Sequence, residues 1–441
     1  MAKCVVLASR QAMLEDARAV MAAVVRNAWD KPTLVLAGEL AANAPTAGSA
    51  SEAFYATQPD RSHRQRKLKN PLSRIGLLRS LFTLLEISRC RRAVDRQLAE
   101  LRPDVLLVFE DRVVHPEMVW LDVAARRGIP ALLVRYASSS AESDAWTRRG
   151  KTAYSLESGI LAWARRRFAR LHPRHEWQTP WGRQLFYSLW DGSALALAGM
   201  ADQYPWVVGG GKVAAVAVQG EADLHEALAL CDDAPRFHVT GQPSWDGMAE
   251  RRLQARAAQG LAAGRKLKLV CALPQWGEHL QLPWPEHMAR IQSLFEIFQA
   301  SQCEVLLSLH PKASREAYET LAARYGLQVA QPSLSTILPE ADIFVASWSS
   351  TLRWSAMLGI ASVNLDWAGQ NYALFSALPS LRLSQGPSDL PPMLAKLVHA
   401  AQERSALGAQ LQQESRVYGK IDGQAGQRVF SLLSNLTKGQ P

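Results

Sequence analysis

The sequence predicts an α/β protein with two Rossmann-like domains that face each other across a cleft. Short apolar runs alternate with amphipathic segments along most of the 441 residues, which is the pattern of parallel strands joined by helical crossovers. The clearest example is the stretch 304–367, where two helical segments separate three apolar runs. Because ligands bind beyond the carboxyl ends of the strands in such sheets, we expect the functional residues there.

The first domain is expected to span residues 1–236, with an irregular, helix-containing insertion at about 172–204. Gly128 marks the end of one helix, since glycine readily adopts the left-handed conformation that closes helices. Strands are predicted at residues 4–8, 33–37, 53–56, 104–109, 131–136 and 213–218. Helices are predicted at about residues 11–27, 72–101, 117–127, 159–171 and 221–231.

The second domain is expected to span residues 237–418. A final helix within 419–441 is expected to pack back on the first domain. Strands are predicted at residues 237–240, 267–273, 304–309, 342–346 and 362–366, and helices at about 247–264, 286–300, 390–402, 405–418 and 423–436.

An excess of basic residues indicates anionic partners. The net charge is +10 and the pI is about 9.5, which suits nucleic acid, a phosphorylated ligand or anionic lipid. The basic segments 61–74 and 165–175 do not show aromatic residues interleaved with cations on a sheet, the pattern of nucleic-acid-binding surfaces, so nucleic acid is not an expected partner. A basic nucleic-acid- or membrane-binding protein nevertheless stays open as the non-enzyme alternative.

Cysteine usage and the start of the chain predict the compartment. The five cysteines are scattered without a C-x-x-C pair, as expected of small core residues in a reducing environment. Met1 is followed directly by a predicted strand without a signal peptide, and no apolar run approaches the roughly 20 residues that span a bilayer. We therefore expect a cytoplasmic protein, which could also act at the inner face of the cytoplasmic membrane.

Polar residues follow two strands of the second domain. His310 and Lys312 come after the first of these strands, and a hydroxyl-rich turn, 347–351, comes after the next. Such a turn before a helix can bind phosphate through unpaired N–H groups, although the same residues also serve as simple helix caps. His310 could likewise be an ordinary strand-end histidine. The favoured interpretation is a phosphate site.

Four short motifs resemble a known group of proteins. The turn Thr240-Gly241-Gln242-Pro243-Ser244-Trp245-Asp246 and the strand 213–218 resemble the domain junction of GT-B-fold proteins, which include UDP-GlcNAc 2-epimerases, CDP-glycerol-type polymerases and polysaccharide glycosyltransferases. His310-Pro311 and Ser349-Ser350 are similar to the H-P and S-S motifs of bacterial sialyltransferases and Kdo transferases. The resemblance covers about residues 213–366, and the first half of the chain matches by architecture only.

This resemblance implies a glycosyltransferase that moves a sugar from a nucleotide donor, with a CMP-sugar favoured, to a glycan or lipid-linked acceptor in bacterial surface-polysaccharide synthesis. The implied nucleotide-binding residues are Gly241, Pro274, Gln275, His310, Pro311, Lys312, Ser347, Ser349, Ser350 and Thr351. His310 would also stabilise the leaving phosphate.

Two departures bear on the alternatives within this fold. Trp354 stands where many nucleotide-sugar enzymes carry a glutamate, and 347–350 does not reproduce the D-S-G-G turn of the 2-epimerases. Both departures count against the alternative, a nucleotide-sugar 2-epimerase. They are compatible with an inverting CMP-sugar transferase, although the acidic motif of sialyltransferases is also missing.

An inverting transfer requires a general base, and acids at predicted strand ends are the candidates. Asp111 and Glu110 follow one strand of the first domain, Asp144 follows another, and Glu278 follows the first strand of the second domain. His115 is a further possibility. Because no D-x-D-like motif lies at a strand end, we expect a metal-independent reaction without a cofactor.

A long helix beside the basic segment 61–74 could contact a membrane. Residues 74–94 combine leucines with arginines, a composition that suits an anionic lipid surface, although most such helices pack on their own sheet. The expected partners are therefore a nucleotide-sugar donor, a glycan or lipid-linked acceptor and an anionic membrane surface.

Overall fold

Two parallel β-sheets, one in each of two compact units, organise the computed structural model. It describes residues 2–27, 29–38, 40, 55–56, 76–136, 140–231, 233, 236–261, 264–279, 281–310, 313–331, 333–370 and 375–439. The first unit comprises Met1–Ser244 and Ala425–Pro441, and the second comprises Trp245–Gln424. The predicted α/β class is confirmed.

The first unit contains a seven-stranded parallel sheet and a short antiparallel hairpin. The sheet order is β3-β2-β1-β4-β5-β8-β9, and β6 pairs with β7. The strands are β1 Cys4–Ala8, β2 Thr33–Leu36, β3 Tyr55–Ala56, β4 Val105–Val108, β5 Ala131–Val134, β6 Glu176–Thr179, β7 Gly182–Leu185, β8 Ala215–Val218 and β9 Phe237–Val239. β9, which was expected in the second domain, hydrogen-bonds to β8 in this sheet.

Helices cover both faces of this sheet, which explains why its central strands are apolar throughout. Alternate residues of β1 enter opposite cores: Val5 and Leu7 pack on one side, and Cys4, Val6 and Ala8 on the other. The helices are α1 Leu14–Arg26, α2 Gly76–Leu101, α3 Val119–Arg126, α4 Ala141–Trp146, α5 Ala162–Leu171, α6 Leu189–Leu197 and α7 Glu221–Leu230.

A six-stranded parallel sheet forms the second unit, in the order β12-β11-β10-β13-β14-β15. Its strands are β10 Lys268–Ala272, β11 Glu304–Ser308, β12 Gln328–Val329, β13 Ile343–Ala346, β14 Ala361–Leu365 and β15 Arg382–Ser384. Its helices are α8 Asp246–Leu261, α9 Trp284–Ala300, α10 Arg315–Arg324, α11 Leu334–Ile337, α12 Thr351–Met357, α13 Leu390–His399 and α14 Ala401–Glu414.

The last helix returns to the first unit. It is α15 Ala425–Thr437, and it packs on α1, where Phe430 meets the ring of Trp29 edge-on at 5.2 Å between centroids. Within the part of the chain that the structure describes, none of the helices combines the length and apolar character needed to cross a bilayer.

Candidate functional site

Each sheet has one point where the chain reverses its direction of strand addition. In the second unit the chain adds β11 and β12 on one side of β10 and then returns to add β13 on the other. The registers pair Ala272 with both Ser308 and Ala346, so three strands end at the same edge. Ligands bind beyond the carboxyl ends of strands at such a switch point, which here lies between β10 and β13.

A tryptophan joins the two loops at this switch point. Trp276, in the loop after β10, donates its indole N–H to the Ser347 hydroxyl after β13 at 2.9 Å. Its ring also stacks on Trp367, which follows β14, at 5.9 Å between centroids. The hydroxyl of Ser347, expected to contact phosphate, is therefore already engaged with Trp276.

The loop after β10 is held by a buried chain of hydrogen bonds. Tyr318 of α10 donates its hydroxyl to Glu278 at 2.6 Å, and its oxygen lies 2.7 Å from Nε2 of His287 on α9. Burial lowers the pKa of His287, so the ring is neutral near pH 7 and donates from Nε2 to Tyr318. Glu278, a candidate base, thus accepts a hydrogen bond from Tyr318 of its own unit.

Close packing requires a glycine in the same loop. A Cβ on Gly277 would lie 2.7 Å from the ring of Trp284 and 2.9 Å from that of His287. Any larger residue would therefore push the loop away from α9.

The hydroxyl-rich turn after β13 contains a strained residue, Trp348. Trp348 has φ of +45°, which is uncommon for a bulky side chain. Its N–H donates to the Asn364 side chain at 2.9 Å, and its ring stacks on Phe375 with an angle of 4° between the planes. These contacts hold the strained conformation, and strain of this kind concentrates at functional sites.

The three remaining hydroxyls of the turn differ in their surroundings. Ser349 lies 2.8 Å from the Thr351 hydroxyl and accepts the N–H of Thr351. Ser350 is exposed and provides no side-chain cap to α12. The local capping role that the sequence left open thus belongs to Ser349, and Ser350 presents its hydroxyl to solvent.

The other expected nucleotide-binding residues are spread over both units. His310 is exposed after β11, at the same sheet edge as Ser347, and Pro274 and Gln275 follow β10. Gly241 belongs to the first unit, where it adopts φ of +79°. Pro311 and Lys312 lie outside the described residues.

In the first unit the switch point lies between β1 and β4, and it holds a buried acid that the sequence analysis did not select. Ser9, directly after β1, donates its hydroxyl to Glu117, which is only 1% exposed. Burial raises the pKa of Glu117 to about 7. Its second carboxylate oxygen, Oε2, has no hydrogen-bond partner among the described residues. An acid poised near neutral pH beside a strand end is a candidate for proton transfer.

Glu110 and Asp144 are joined by one arginine. Arg112 lies 3.1 Å from Glu110 and 2.6 Å from Asp144. Burial opposes the ionisation of Glu110, but the guanidinium of Arg112 outweighs burial and lowers the pKa of this carboxyl. Asp144 also forms an ion pair with Arg148, its neighbour one turn along the chain, at 3.7 Å. Both acids are thus ion-paired.

Asp111 anchors a glycine-rich loop. Its carboxylate accepts the backbone N–H of Gly211 at 2.7 Å and that of Gly209 at 3.1 Å. Burial, together with the neighbouring Glu110, raises the pKa of Asp111 to about 6. A Cβ on Gly211 would lie 2.8 Å from Oδ2 of Asp111, so this contact depends on glycine.

No group of three or more His, Cys, Asp or Glu side chains is placed to hold a metal ion in the described parts of the chain.

Four residues of these sites escaped the sequence analysis: Ser9, Glu117, Trp276 and Asn364. Glu117 looks like an ordinary acid in the first turn of a helix, and it lies 108 positions from Ser9 along the chain, so no local pattern could have paired them. Trp276 is 71 positions from Ser347, so no local pattern could have paired them. The position of Trp276 directly after a strand was the one available signal.

Comparisons with known proteins identify the fold. No protein-family model and no curated protein sequence matches the chain. Solved structures match over its whole length. A Listeria monocytogenes protein assigned as a UDP-N-acetylglucosamine 2-epimerase has a TM-score of 0.58 at 11% identity, with 100% of this chain and 97% of that chain covered.

Two further similar structures are a second 2-epimerase and a polymerase. The UDP-GlcNAc 2-epimerase from Neisseria meningitidis bound to UDP-GlcNAc has a TM-score of 0.55 at 10% identity, with 98% and 100% covered. The wall teichoic acid polymerase TagF has a TM-score of 0.54 at 8% identity, with 99% and 89% covered. The predicted fold is thereby confirmed: the chain has the α/β GT-B fold that epimerases and a polymerase share.

Proposed function

We propose that the protein is a glycosyltransferase that moves a sugar from a nucleotide donor to a glycan or lipid-linked acceptor in bacterial surface-polysaccharide synthesis. The observation that carries this proposal is the set of polar residues at the β10–β13 switch point of a chain with the fold of nucleotide-sugar enzymes. Transfer is proposed to invert the sugar's configuration, at the inner face of the cytoplasmic membrane.

The nucleotide is proposed to bind the second unit. His310 and the exposed hydroxyl of Ser350 would contact the phosphate, and Ser349 and Thr351 would fix the turn that presents Ser350. Trp276 would hold the β10 and β13 loops together around the ligand. A CMP-sugar is the favoured donor, because His310-Pro311 and Ser349-Ser350 resemble the motifs of enzymes that use such donors.

The proton acceptor is proposed to be one of the acids at the strand ends. Asp111, Glu110, Asp144 and Glu278 are the candidates expected from the sequence. Glu117 joins them, because a pKa of about 7 suits proton transfer near neutral pH. Asp111, Glu110 and Asp144 are the weaker members of this set, since glycine N–H groups and Arg112 already engage their oxygens.

A nucleotide-sugar 2-epimerase is the second candidate. The observation that favours it is the presence of several 2-epimerases among the similar structures. The absence of acids in the turn 347–350 disfavours it.

A thermal-shift panel with CMP, UDP, GDP and CDP, each with and without magnesium, tests the nucleotide site. A ligand that binds only the native state adds about 2.7 kcal/mol of stability at 100-fold excess over Kd. We expect a selective rise with CMP that is lost in His310→Ala and Ser350→Ala. His399→Ala, an exposed histidine on α13, is the matched control and should keep the shift. A folded protein that responds to no nucleotide would refute the proposal.

Solvent exchange separates the two reactions. A 2-epimerase breaks the C2–H bond of the sugar, so incubation of a nucleotide-sugar in D₂O would label that carbon. A transferase leaves the C2–H bond intact and releases free nucleotide when acceptor is present. Mass spectrometry of both products therefore decides between them, and C2 labelling without nucleotide release would favour the epimerase.

A further inference from the structure

One side of α5 presents large apolar and basic side chains to solvent. Ile160, just before the helix, is 96% exposed, Trp163 is 62% exposed and Leu171 is 67% exposed. Arg167 and Arg170 are exposed between them. Ile160, Trp163, Arg167 and Arg170 follow one another at spacings of three, four and three residues, and Leu171 lies four residues after Arg167. These spacings place all five on one face of the helix. These five residues are the α5 stripe.

The opposite face of α5 fixes the orientation of the stripe. Phe168 and Ala169 are buried in a cluster with Leu156, Leu185 and Leu189. A Cβ on Gly192 of α6 would lie 2.7 Å from the Phe168 ring, so α5 and α6 are in close contact. The stripe therefore points outward because the other face is packed.

The two arginines of the stripe differ from their neighbours on the same helix. Arg165 donates to the backbone carbonyls of Ser155 and Ser158, and Arg166 donates to that of Leu156. Arg167 and Arg170 have no hydrogen bond or ion pair to any residue that the structure describes. The stripe thus combines two uncompensated positive charges with exposed apolar surface.

We infer that the α5 stripe binds the surface of an anionic lipid bilayer. Helices that lie in a membrane interface combine arginines, which attract anionic headgroups, with tryptophan and aliphatic side chains, which enter the boundary of the acyl region. Trp163 suits this position, because an indole ring favours the interface between water and hydrocarbon. In the membrane interface the apolar surface of Ile160 and Leu171 would be removed from water, which is favourable.

A second exposed apolar group lies on α2, the helix that the sequence linked to membranes. Leu81, Phe82 and Leu85 are each exposed by 43% or more. Both α2 and α5 pack against α6. Arg79 of α2 forms an ion pair with Asp191 of α6 at 2.6 Å. The membrane-binding surface extends the proposed function. It rests on that function in one respect, which is that the acceptor is carried on a lipid.

The combination of positive charge and apolar side chains favours an anionic lipid surface over nucleic acid as the partner. A nucleic-acid backbone would attract Arg167 and Arg170 but offers the aliphatic side chains of Ile160 and Leu171 no apolar partner. A bilayer satisfies both kinds of side chain.

Vesicle flotation tests the inference with the full chain. Vesicles of phosphatidylcholine with phosphatidylglycerol should bind the protein, and vesicles of phosphatidylcholine alone should bind it far less. Arg167→Glu/Arg170→Glu should lower partitioning more than tenfold, because each arginine near an anionic surface contributes about fivefold. High salt should weaken binding of the wild type in the same direction.

Matched variants separate the stripe from general charge and apolar effects. Arg18→Glu/Arg324→Glu makes the same charge change at two exposed arginines outside the stripe and should leave partitioning nearly unchanged. Leu171→Asp should reduce binding, whereas Leu253→Asp should not, although Leu253 is 70% exposed. Brominated lipid should quench wild-type fluorescence more than that of Trp163→Phe.

Three results would overturn the inference. The first is a wild-type protein that does not bind anionic vesicles, and the second is an equal loss in the stripe and control variants. The third is a stripe that controls self-association or nucleic-acid binding while vesicles stay unbound. Nucleotide binding is measured separately by thermal shift. A protein that binds CMP but not vesicles would therefore refute only the membrane-binding role of the α5 stripe. One that binds vesicles but no nucleotide refutes the transferase.

Discussion

Burial and neighbouring charges together set the pKa of single carboxyl groups in the first unit. Burial raises the pKa of Glu117 to about 7, and burial together with the neighbouring Glu110 raises the pKa of Asp111 to about 6. A raised carboxyl pKa means that the folded state favours the neutral acid. Its stabilising contribution is full below the ordinary pKa of about 4.5 and is lost as the pH rises through the folded-state value.

Glu117→Gln should therefore stabilise the protein at high pH. Glutamine keeps the size of the side chain and cannot ionise, so unfolding free energy should rise by about 1–3 kcal/mol at about pH 8 and change little at about pH 5. Urea denaturation at the two pH values measures the difference. Glu100→Gln, at an exposed position of α2, is the control and should show no such pH dependence. Equal effects of Glu117→Gln at both pH values would contradict a raised pKa of Glu117.

The tyrosine that links His287 to Glu278 makes a second prediction at this scale. Tyr318→Phe would leave the Nε2–H of His287 without an acceptor and Glu278 without its donor, at a cost of about 1–3 kcal/mol. Tyr325→Phe is the matched control, since Tyr325 also donates to a glutamate, Glu296, but in an exposed position. Urea denaturation should show a clear loss for Tyr318→Phe only; similar losses in both variants would argue against a buried chain.

Among the secondary-structure elements, the central strands were predicted well from apolar runs, because parallel strands that are buried on both faces are continuously apolar. β1, β4, β5, β10 and β13 all lie where the sequence indicates. The hairpin β6–β7 was not predicted, because its strands contain Glu176, Gln178 and Gln184 among their residues. The signal that was overlooked is Gly182, whose φ of +112° closes the turn between the two strands.

The packing of the last helix, α15, on α1 should stabilise the first unit locally. Phe430 packs on α1 and against Trp29, so Phe430→Ala should destabilise the first unit by about 3 kcal/mol. Hydrogen exchange should accelerate in α1 while the β10 and β13 amides of the second unit keep their protection. Ser431→Ala, at the exposed neighbouring position, should change neither. Equal acceleration in both units would show that α15 does not act locally.

At the scale of the whole molecule, alternating strands and helices predicted the fold, and full-length structural matches confirmed it at identities of 8–11%. The site was only partly accessible from sequence. His310 and the turn 347–351 were selected because they follow strands. The partners of this turn are Trp276, in the loop after β10, and Asn364, in β14. The pairing depends on a sheet order that no local pattern specifies.

The proposed function requires the second unit to bind the nucleotide of a sugar donor at the β10–β13 switch point. Hydrogen exchange followed by mass spectrometry, with and without saturating CMP, measures this binding at the site itself. We expect slower exchange at the turn 347–351 and near His310, with β12 and α13 unchanged as internal references. Protection confined to other segments, or no protection under conditions where CMP demonstrably binds, would refute nucleotide binding at this switch point.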